Sequence, residues 1–452
     1  MRSLALFLLT ACVAAAADCT PSGLGAQETL AKFQQLDREA QSAFDGGWFV
    51  EAARLYRQAA CLVPSSARAL FGLGGAEAAA SNFRAARNAF EKASALLPGN
   101  SLPLAMLVRV NVAMHDLAKV KETLRAAAAR FPRDGELHSG LARFLAEKQL
   151  LDLALAESLR AEQTGVIDNA SAVALAVLEN TVGAYHDAIQ HATSIDNQTG
   201  LDGQVRASAA GIAGLSYASL GQKNEAERYL KMAIELAPAQ DNSYFALAYF
   251  YEKGQRFNEA AAVLEQGRER SLNPDSFLLP LGNNLVWGEQ FQAGVDVLRE
   301  LIAKTPAAAE AYIRLAEAYR KMGRPELETQ ALASLVRVKP DYPMIHVLAA
   351  QAMLTMNPVD YPKVLAELAA AEKIAPNDPD VFYLRGKALA ATKRFREAVT
   401  ALKRATELRP VEPNAYYQLG LTYQKMGETA LAHETMERLR YIQQSSAAPQ
   451  VR

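Results

Sequence analysis

The chain has 452 residues, half of them hydrophobic, and a formal net charge of −1. A chain of this length is too long for one compact core, so it forms either several domains or one extended array of repeats. The two signs of charge are interspersed, and without a basic patch the composition argues against nucleic-acid binding.

The N-terminus has the pattern of an export signal. Arg2 precedes an apolar stretch from Leu4 to Val13, which is followed by a run of alanines that ends at Ala17. These features predict cleavage after Ala17, so that residues 1–17 are a signal peptide and residues 18–26 a linker. The apolar stretch is too short to span a bilayer comfortably, and no later stretch has the length of a membrane span.

Two alternatives for this N-terminus stay open. The segment Leu9-Thr10-Ala11-Cys12 resembles a bacterial lipobox, in which a lipid would be attached to Cys12. The other alternative is a cytosolic protein with an apolar N-terminal helix. Export predicts a periplasmic or secreted location, whereas lipidation predicts an outer-membrane lipoprotein.

A proline recurs at intervals of 34 residues and sets the register of a repeat. The interval holds at Pro64, Pro98 and Pro132, and again between Pro306 and Pro340. A fixed period in this range is typical of a stacked repeat array. With the proline at place 32 of a 34-residue unit, repeats 1 to 12 begin at Phe33, Ala67, Ser101, Gly135, Asn169, Ala207, Asp241, Asp275, Ala309, Pro343, Pro379 and Pro413.

Small residues recur at fixed places of this unit. Eleven of the twelve residues at the eighth place are Ala or Gly, and Ala is frequent at the twentieth and twenty-seventh places. A small side chain lets two antiparallel helices cross closely, while larger residues such as Tyr56, Phe90 and Leu402 fill the surrounding space. Proline stops the second helix because it has no N–H to donate. A polar segment after the proline, such as Asp241-Asn242-Ser243, is predicted to cap the next helix.

This pattern resembles the tetratricopeptide repeat family, whose units carry Leu-Gly, Tyr, Ala, an aromatic residue and a closing Pro. The resemblance covers about residues 27 to 440. It implies an all-α fold, a right-handed superhelical solenoid of about twelve helix-turn-helix units. With the export signal, the chain is identified as an exported bacterial member of that family. One of the best matching units carries Gly214, Tyr217, Ala226, Ala233 and Pro238.

Two insertions interrupt the array. Residues 196–203 add a loop at the end of repeat 5, and residues 357–362 lengthen the turn inside repeat 10. The predicted organisation is a set of N-terminal units over residues 27–206 and a set of C-terminal units over residues 207–444. A polar tail over residues 445–452 follows.

Cys19 and Cys61 form a candidate disulfide. Both remain after cleavage at Ala17, and in an oxidising compartment the bridge would tie the leading segment to the end of repeat 1. The alternative is that Cys61 is a small buried hydrophobic residue at the end of a helix. The cysteines lack the further ligands that a zinc site needs, and the sequence predicts neither a metal site nor a cofactor.

The resemblance implies that the first helix of each repeat lines a concave groove with its places 2, 5, 9 and 12. Repeats 7 and 8 carry the richest set there, because asparagine pairs with a peptide backbone and aromatic rings supply apolar area at a low entropic cost. The alternative is that the aromatic residues only pack against neighbouring helices. The candidate peptide-binding residues are Asn242, Phe245, Tyr249, Glu252, Leu279, Asn283 and Trp287.

The sequence carries no pattern typical of catalysis. The six histidines are scattered, and the HExxH, GxSxG and phosphate-loop motifs are absent. The sequence therefore predicts a non-catalytic scaffold that binds a protein or peptide partner. Two alternatives stay open: a component of envelope assembly or polysaccharide export, and an accessory subunit of a partner enzyme.

Overall fold

The computed structural model describes residues 25–165, 168–196, 200–342 and 344–447. Within these ranges the chain forms α-helices and one short 3-10 helix, and no strand. This confirms the prediction of an all-α fold built from twelve helix-turn-helix units. No helix in these ranges combines the length and the apolar character needed to cross a membrane.

Two helices correspond to each repeat. The helices of repeats 1 to 6 are α1 (Ala26–Asp45), α2 (Phe49–Leu62), α3 (Ala67–Ala79), α4 (Phe83–Leu96), α5 (Leu102–Ala113), α6 (Leu117–Arg130), α7 (Gly135–Glu147), α8 (Leu151–Gln163), α9 (Asn169–Val182), α10 (Tyr185–Asp196), α11 (Gly203–Ser219) and α12 (Lys223–Leu236).

The helices of repeats 7 to 12 follow the same order, and the 3-10 helix Pro274–Phe277 precedes α15. They are α13 (Asp241–Lys253), α14 (Phe257–Arg270), α15 (Leu278–Trp287), α16 (Phe291–Lys304), α17 (Ala309–Lys321), α18 (Pro325–Val338), α19 (Ile345–Met353), α20 (Tyr361–Ile374), α21 (Pro379–Ala391), α22 (Phe395–Leu408), α23 (Pro413–Met426) and α24 (Thr429–Ala447).

The helices group into two compact units, and the chain is divided between them after Tyr229, within α12. In each unit the helices pack mainly against their neighbours along the chain, as α3 does against α4 and α21 against α22. The first helices of consecutive repeats also contact one another, such as α5 and α7 in the first unit and α15 and α17 in the second. Packing between neighbours alone is typical of a solenoid. The sequence-based division between residues 206 and 207 stays a prediction.

The small residues at the eighth place lie where the two helices of a hairpin cross. Ala40 has no exposed surface. A Cβ atom built on Gly74 would stand 2.7 Å from the ring of Phe90, and one built on Gly386 would stand 2.4 Å from Cγ of Leu402. Carbon atoms do not pack that closely. The prediction that close helix crossings require these small residues is therefore confirmed.

The prolines follow the second helices as predicted. α2 ends at Leu62, two residues before Pro64, and α22 ends at Leu408, two residues before Pro410. The helix stops there because proline excludes the helical conformation at the residue before it.

The cap predicted at the start of α13 is wrong. The N-cap residue is Gln240, whose side chain makes no capping hydrogen bond. Asp241 instead accepts a hydrogen bond from the Ser271 hydroxyl at 2.9 Å. Side-chain capping does occur in other repeats, where Asp134 accepts a hydrogen bond from the backbone N–H of Leu137 at 2.9 Å.

A left-handed residue joins the two helices of most hairpins, at the fifteenth place of the repeat. Glycine occupies this place at Gly47, Gly183, Gly221, Gly323 and Gly427. In six other repeats a residue with a side chain adopts the same positive φ, between 55° and 63°, although this conformation favours glycine. These residues are Ser81, His115, Gln149, Gln255, Glu289 and Lys393.

The predicted signal peptide, Cys12 and Cys19 lie outside the described residues. Cys61 lies near the end of α2 and is disulfide-bonded. Its partner also lies outside the described residues, so the pairing with Cys19 stays a prediction. At the other end, α24 continues to Ala447, three residues into the predicted polar tail.

Candidate functional site

The predicted groove residues fall on two helices of the second unit. α13 and α15 are the first helices of repeats 7 and 8, and residues three or four apart on a helix share a face. We call this face the α13–α15 surface. It consists of Asn242, Phe245, Tyr249 and Glu252 on α13 and of Leu279, Asn283 and Trp287 on α15.

The two aromatic residues of α13 differ in their surroundings. Phe245 is half-buried and stacks on Phe277, with ring centroids 4.5 Å apart and an interplanar angle of 22°. Tyr249 keeps 51% of its surface exposed, and Nζ of Lys253 lies 5.1 Å from the centre of its ring. The packing alternative therefore describes Phe245. Tyr249 is left with a ring face that a ligand can cover.

Trp287 is the exposed aromatic residue of α15. It keeps 36% of its surface exposed, and the ring of Phe257 lies against it with centroids 5.6 Å apart. The guanidinium carbon of Arg314, on α17, lies 5.0 Å from the centre of the indole ring. Glu317 holds that guanidinium through a 2.6 Å hydrogen bond from Nη1. The α13–α15 surface thus continues onto the first helix of repeat 9.

Sequence reasoning missed Arg314. It occupies the sixth place of repeat 9, whereas the groove was mapped onto places 2, 5, 9 and 12. No pattern in the sequence marks the sixth place, because the contact depends on how far the indole of Trp287 reaches toward α17. The Nε atom of Arg314 is buried and has no hydrogen-bond partner among the described residues.

Asn283, on the α13–α15 surface, and its neighbour Asn284 differ in their hydrogen bonds. Asn284 donates from Nδ2 to Oε1 of Glu252 at 2.5 Å and to the carbonyl of Pro280 at 2.9 Å, so that Glu252 serves to join α13 to α15. Asn283 is 8% exposed, and its buried Oδ1 accepts no hydrogen bond from any described residue. An unpaired buried carbonyl oxygen costs about 1–3 kcal/mol, which a ligand N–H could recover after the amide rotates.

The chemistry of this surface is that of binding. It offers two exposed rings, two cations beside them and an amide with unused hydrogen-bonding capacity. In the part of the chain that the structure describes, no three His, Cys, Asp or Glu side chains come together as a metal-binding group. Asn242 and Leu279 complete the face as an exposed polar residue and a partly buried apolar residue, and ligand contact at all seven residues stays a prediction.

Sequence models of one repeat family match much of the chain. Models described as TPR repeat or tetratricopeptide repeat cover more than half of it, in both compact units. The matched residues are 38–101, 77–144, 207–240, 279–343, 386–427 and 413–444.

Two curated relatives match part of the chain. A peroxisomal targeting signal receptor of Candida albicans is 28% identical over 192 residues, which are 40% of this chain and 32% of the relative. A BBSome complex member BBS4 homolog of Drosophila melanogaster is 23% identical over 269 residues, 50% of this chain and 55% of the relative. The chain therefore spans between about a third and about half of these relatives.

Several solved structures are also similar to the chain. MamA from Desulfovibrio magneticus RS-1 is 17% identical, with 38% of this chain and 97% of that chain covered and a TM-score of 0.36. YrrB, described as a TPR protein with an unusual peptide-binding site, is 18% identical, with coverage of 41% and 95% and a TM-score of 0.35. A chain of the Naa15/Naa10 complex bound to HypK-THB is 16% identical, with coverage of 90% and 63% and a TM-score of 0.39.

Proposed function

Because the chain belongs to the tetratricopeptide repeat family, we propose that it is a non-catalytic scaffold that binds a protein or peptide partner through the α13–α15 surface. The observation that carries this proposal is the pair of exposed rings, Tyr249 and Trp287, on the face that also bears the unpaired side-chain carbonyl oxygen of Asn283. Aromatic side chains of this kind dominate the binding energy of protein interfaces.

Each of the two exposed rings has a cation beside it. Lys253 lies beside Tyr249 and Arg314 beside Trp287, and a cation over a ring restricts how far the ring moves. A ring that is already ordered loses little entropy when a partner covers it, so more of the contact energy appears as affinity.

The polar groups favour a ligand with main-chain N–H and C=O groups on display. After rotation of its amide, Oδ1 of Asn283 can accept a hydrogen bond from a main-chain N–H. Charge on the surface is balanced, since Glu252 and Glu317 offset Lys253 and Arg314. An extended peptide segment fits this combination better than a strongly charged ligand does.

The test compares a double variant with a matched control. We expect Tyr249→Ala/Asn283→Ala to lose partners that the wild-type chain recovers from an extract, and to weaken binding of a purified partner by roughly 30-fold. Tyr441→Ala is the control, because Tyr441 is 61% exposed and also lies beside a cation, Arg438, at 5.3 Å.

Affinities are measured by titration calorimetry, after circular dichroism has shown that both variants keep the helical content of the wild type. Equal recovery and equal affinity for the wild type and the double variant would show that the α13–α15 surface is not the binding site. Turnover of a substrate by the purified chain alone would contradict the non-catalytic assignment.

Export is a second part of the proposal. The disulfide at Cys61 supports it, because disulfides persist mainly in oxidising compartments. Mass spectrometry of the mature protein should find an N-terminus after Ala17 and a Cys19–Cys61 linkage. A lipid on Cys12 would instead favour a role in envelope assembly or polysaccharide export. A chain that keeps residues 1–17 and has reduced cysteines would be incompatible with export.

A further inference from the structure

The twenty-fourth place of the repeat normally holds a large side chain that fills the space opposite the eighth place. A Cβ atom built on Gly282 would stand 2.7 Å from Leu298, and one on Gly420 would stand 2.7 Å from Met436. Ten repeats have a large residue at this place, after allowance for the insertion in repeat 10: Tyr56, Phe90, Leu124, Leu230, Leu264, Leu298, Leu332, Leu368, Leu402 and Met436.

Repeats 4 and 5 depart from this rule, with Ser158 and Ala192 at the twenty-fourth place. In repeat 5 the space is closed by other apolar residues, since Ala192 packs in one cluster with Ile195 and Ile212 and is fully buried. In repeat 4 the space stays open. Ser158 is 7% exposed and lies at the wall of a cavity of about 490 Å³.

Small and apolar side chains line this cavity, which we call the Ser158 cavity. α7 contributes Ala142 and Ala146, α8 contributes Ser158 and Ala161, and α9 contributes Ala174 and Leu178. Ala174 is exposed, so the cavity communicates with the surface beside α9.

An unfilled space of this kind has a physical consequence. The side chains of its inner wall, Ala142, Ala161 and Leu178, lack the dispersion partners that a twenty-fourth-place side chain supplies in other repeats. Arg143, Glu147 and Ala174 are exposed at its open side, so an apolar guest would displace water from this wall. The volume of about 490 Å³ lies within the range of ligand pockets.

We propose that the Ser158 cavity is an anchor pocket for one large apolar side chain, such as Phe, Leu or Met, of a partner polypeptide. The bound side chain should resemble in size the residue that is missing from the twenty-fourth place. It would then restore the apolar contacts that Phe90 or Leu298 makes in other repeats. Exposed Arg143 and Glu147 also line the cavity. One charge of each sign suits a neutral polypeptide flank better than the anionic head group of a lipid.

This pocket lies in the first compact unit and is independent of the α13–α15 surface in the second. Sequence reasoning missed it, although the sequence contains the signal: a serine where the other repeats show that a large residue belongs.

The test uses two fluorescein-labelled peptides, Gly-Ser-Phe-Ser-Gly and Gly-Ser-Ala-Ser-Gly, with binding to the full chain followed by fluorescence anisotropy. We expect the Phe peptide to bind at least roughly tenfold more tightly than the Ala peptide, because burial of the ring removes its apolar surface from water. Ser158→Leu should remove this difference and raise the Tm, since the leucine fills the cavity. Ser158→Ala, which keeps the cavity and removes only the hydroxyl, should retain the difference.

Two outcomes would overturn the proposal. The first is equal binding of the two peptides to the wild-type chain. The second is unchanged Phe-peptide binding in Ser158→Leu. If Ser158→Leu does not fold, Ala174→Leu obstructs the cavity from its exposed side, and unchanged binding there has the same meaning. Tyr249→Ala/Asn283→Ala should leave this binding unchanged, so that failure here is distinguishable from failure of the proposed function.

Discussion

Repeats 4 and 8 have the same hairpin and fill it differently. Both carry a small residue at the eighth place, Ala142 in α7 and Gly282 in α15, and both helices are followed by a second helix that crosses close by. Opposite these residues, repeat 8 places Leu298 with no exposed surface, whereas repeat 4 places Ser158 and leaves a cavity of about 490 Å³.

This difference separates the role of the small eighth-place residue from that of the large twenty-fourth-place residue, which usually occur together. The small residue is needed for the helices to approach, because a Cβ atom on Gly282 would overlap Leu298. The large residue opposite contributes apolar contacts, but the hairpin of repeat 4 forms without it. A repeat can therefore lose its twenty-fourth-place side chain, retain its backbone and gain a pocket, as long as neighbouring repeats supply enough stability.

The largest expected effect comes from making repeat 8 resemble repeat 4. Leu298→Ser should lower the free energy of unfolding by about 3–5 kcal/mol, because it opens a core cavity and buries a hydroxyl. Hydrogen exchange of the α15 and α16 amides gives this free energy locally, which matters in an array whose repeats can open separately. Ser158→Ala is the matched change in repeat 4, and there the loss should be less than about 1 kcal/mol.

Equal losses at the two positions would show that Leu298 is no more important to packing than Ser158. The different side chains at the twenty-fourth place would then make no difference to the stability of the two repeats.

A second prediction concerns the small residue itself. Gly386→Leu should lower the free energy of unfolding by about 2–3 kcal/mol, because its side chain would occupy the place of Leu402 and force the helices apart. Gly140→Ala is the control. Gly140 also lies inside a helix, but nothing stands within 4 Å of a Cβ built there, so alanine should raise the free energy of unfolding by about 0.5–1 kcal/mol.

Chemical denaturation followed by circular dichroism distinguishes the two signs. Destabilisation by both substitutions would mean that these glycines serve backbone conformation and not the close approach of helices.

The frame of the molecule could be predicted from sequence because its causes are local and repeated. A proline two residues beyond the second helix, as at Pro64, occurs in most repeats, and a small residue stands at eleven of the twelve eighth places. Both features act within one hairpin. Because the pattern is repeated twelve times, the register can be recognised even though single repeats depart from it. The helix bounds therefore follow the register of 34 residues closely, even where residues 357–362 lengthen a turn.

The sites were harder to predict because they depend on departures from the pattern. The contact of Arg314 with Trp287 requires the geometry between two repeats, which spacing along one helix does not contain. Asn283 is a predicted peptide-binding residue, and its spacing along the helix does not show that it is mostly buried with its carbonyl oxygen unpaired. The cavity at Ser158 arises because a large side chain is missing at the twenty-fourth place. The small-residue pattern concerns the eighth, twentieth and twenty-seventh places and therefore does not reveal it.

The smallest expected effect is at the fifteenth place, where repeats 7 and 9 can be compared directly. Gln255 and Gly323 adopt the same left-handed backbone, with φ of 55° and 67°. This conformation is strained for a residue with a Cβ atom and free of strain for glycine, although glycine also adds entropy to the unfolded chain. Gln255→Gly should therefore raise the free energy of unfolding by about 0.5–1 kcal/mol, and Gly323→Gln should lower it by a similar amount.

Nothing stands within 4 Å of a Cβ atom built on Gly323, so the glutamine introduced there meets no steric obstacle. Any loss in Gly323→Gln is consequently the backbone strain less the entropy that the glutamine removes from the unfolded chain. Opposite signs for the two substitutions in paired urea titrations are the expected result. If both leave the midpoint unchanged, the turn does not hold its residue in the left-handed conformation in solution, and the choice between glycine and other residues at this place has no energetic meaning.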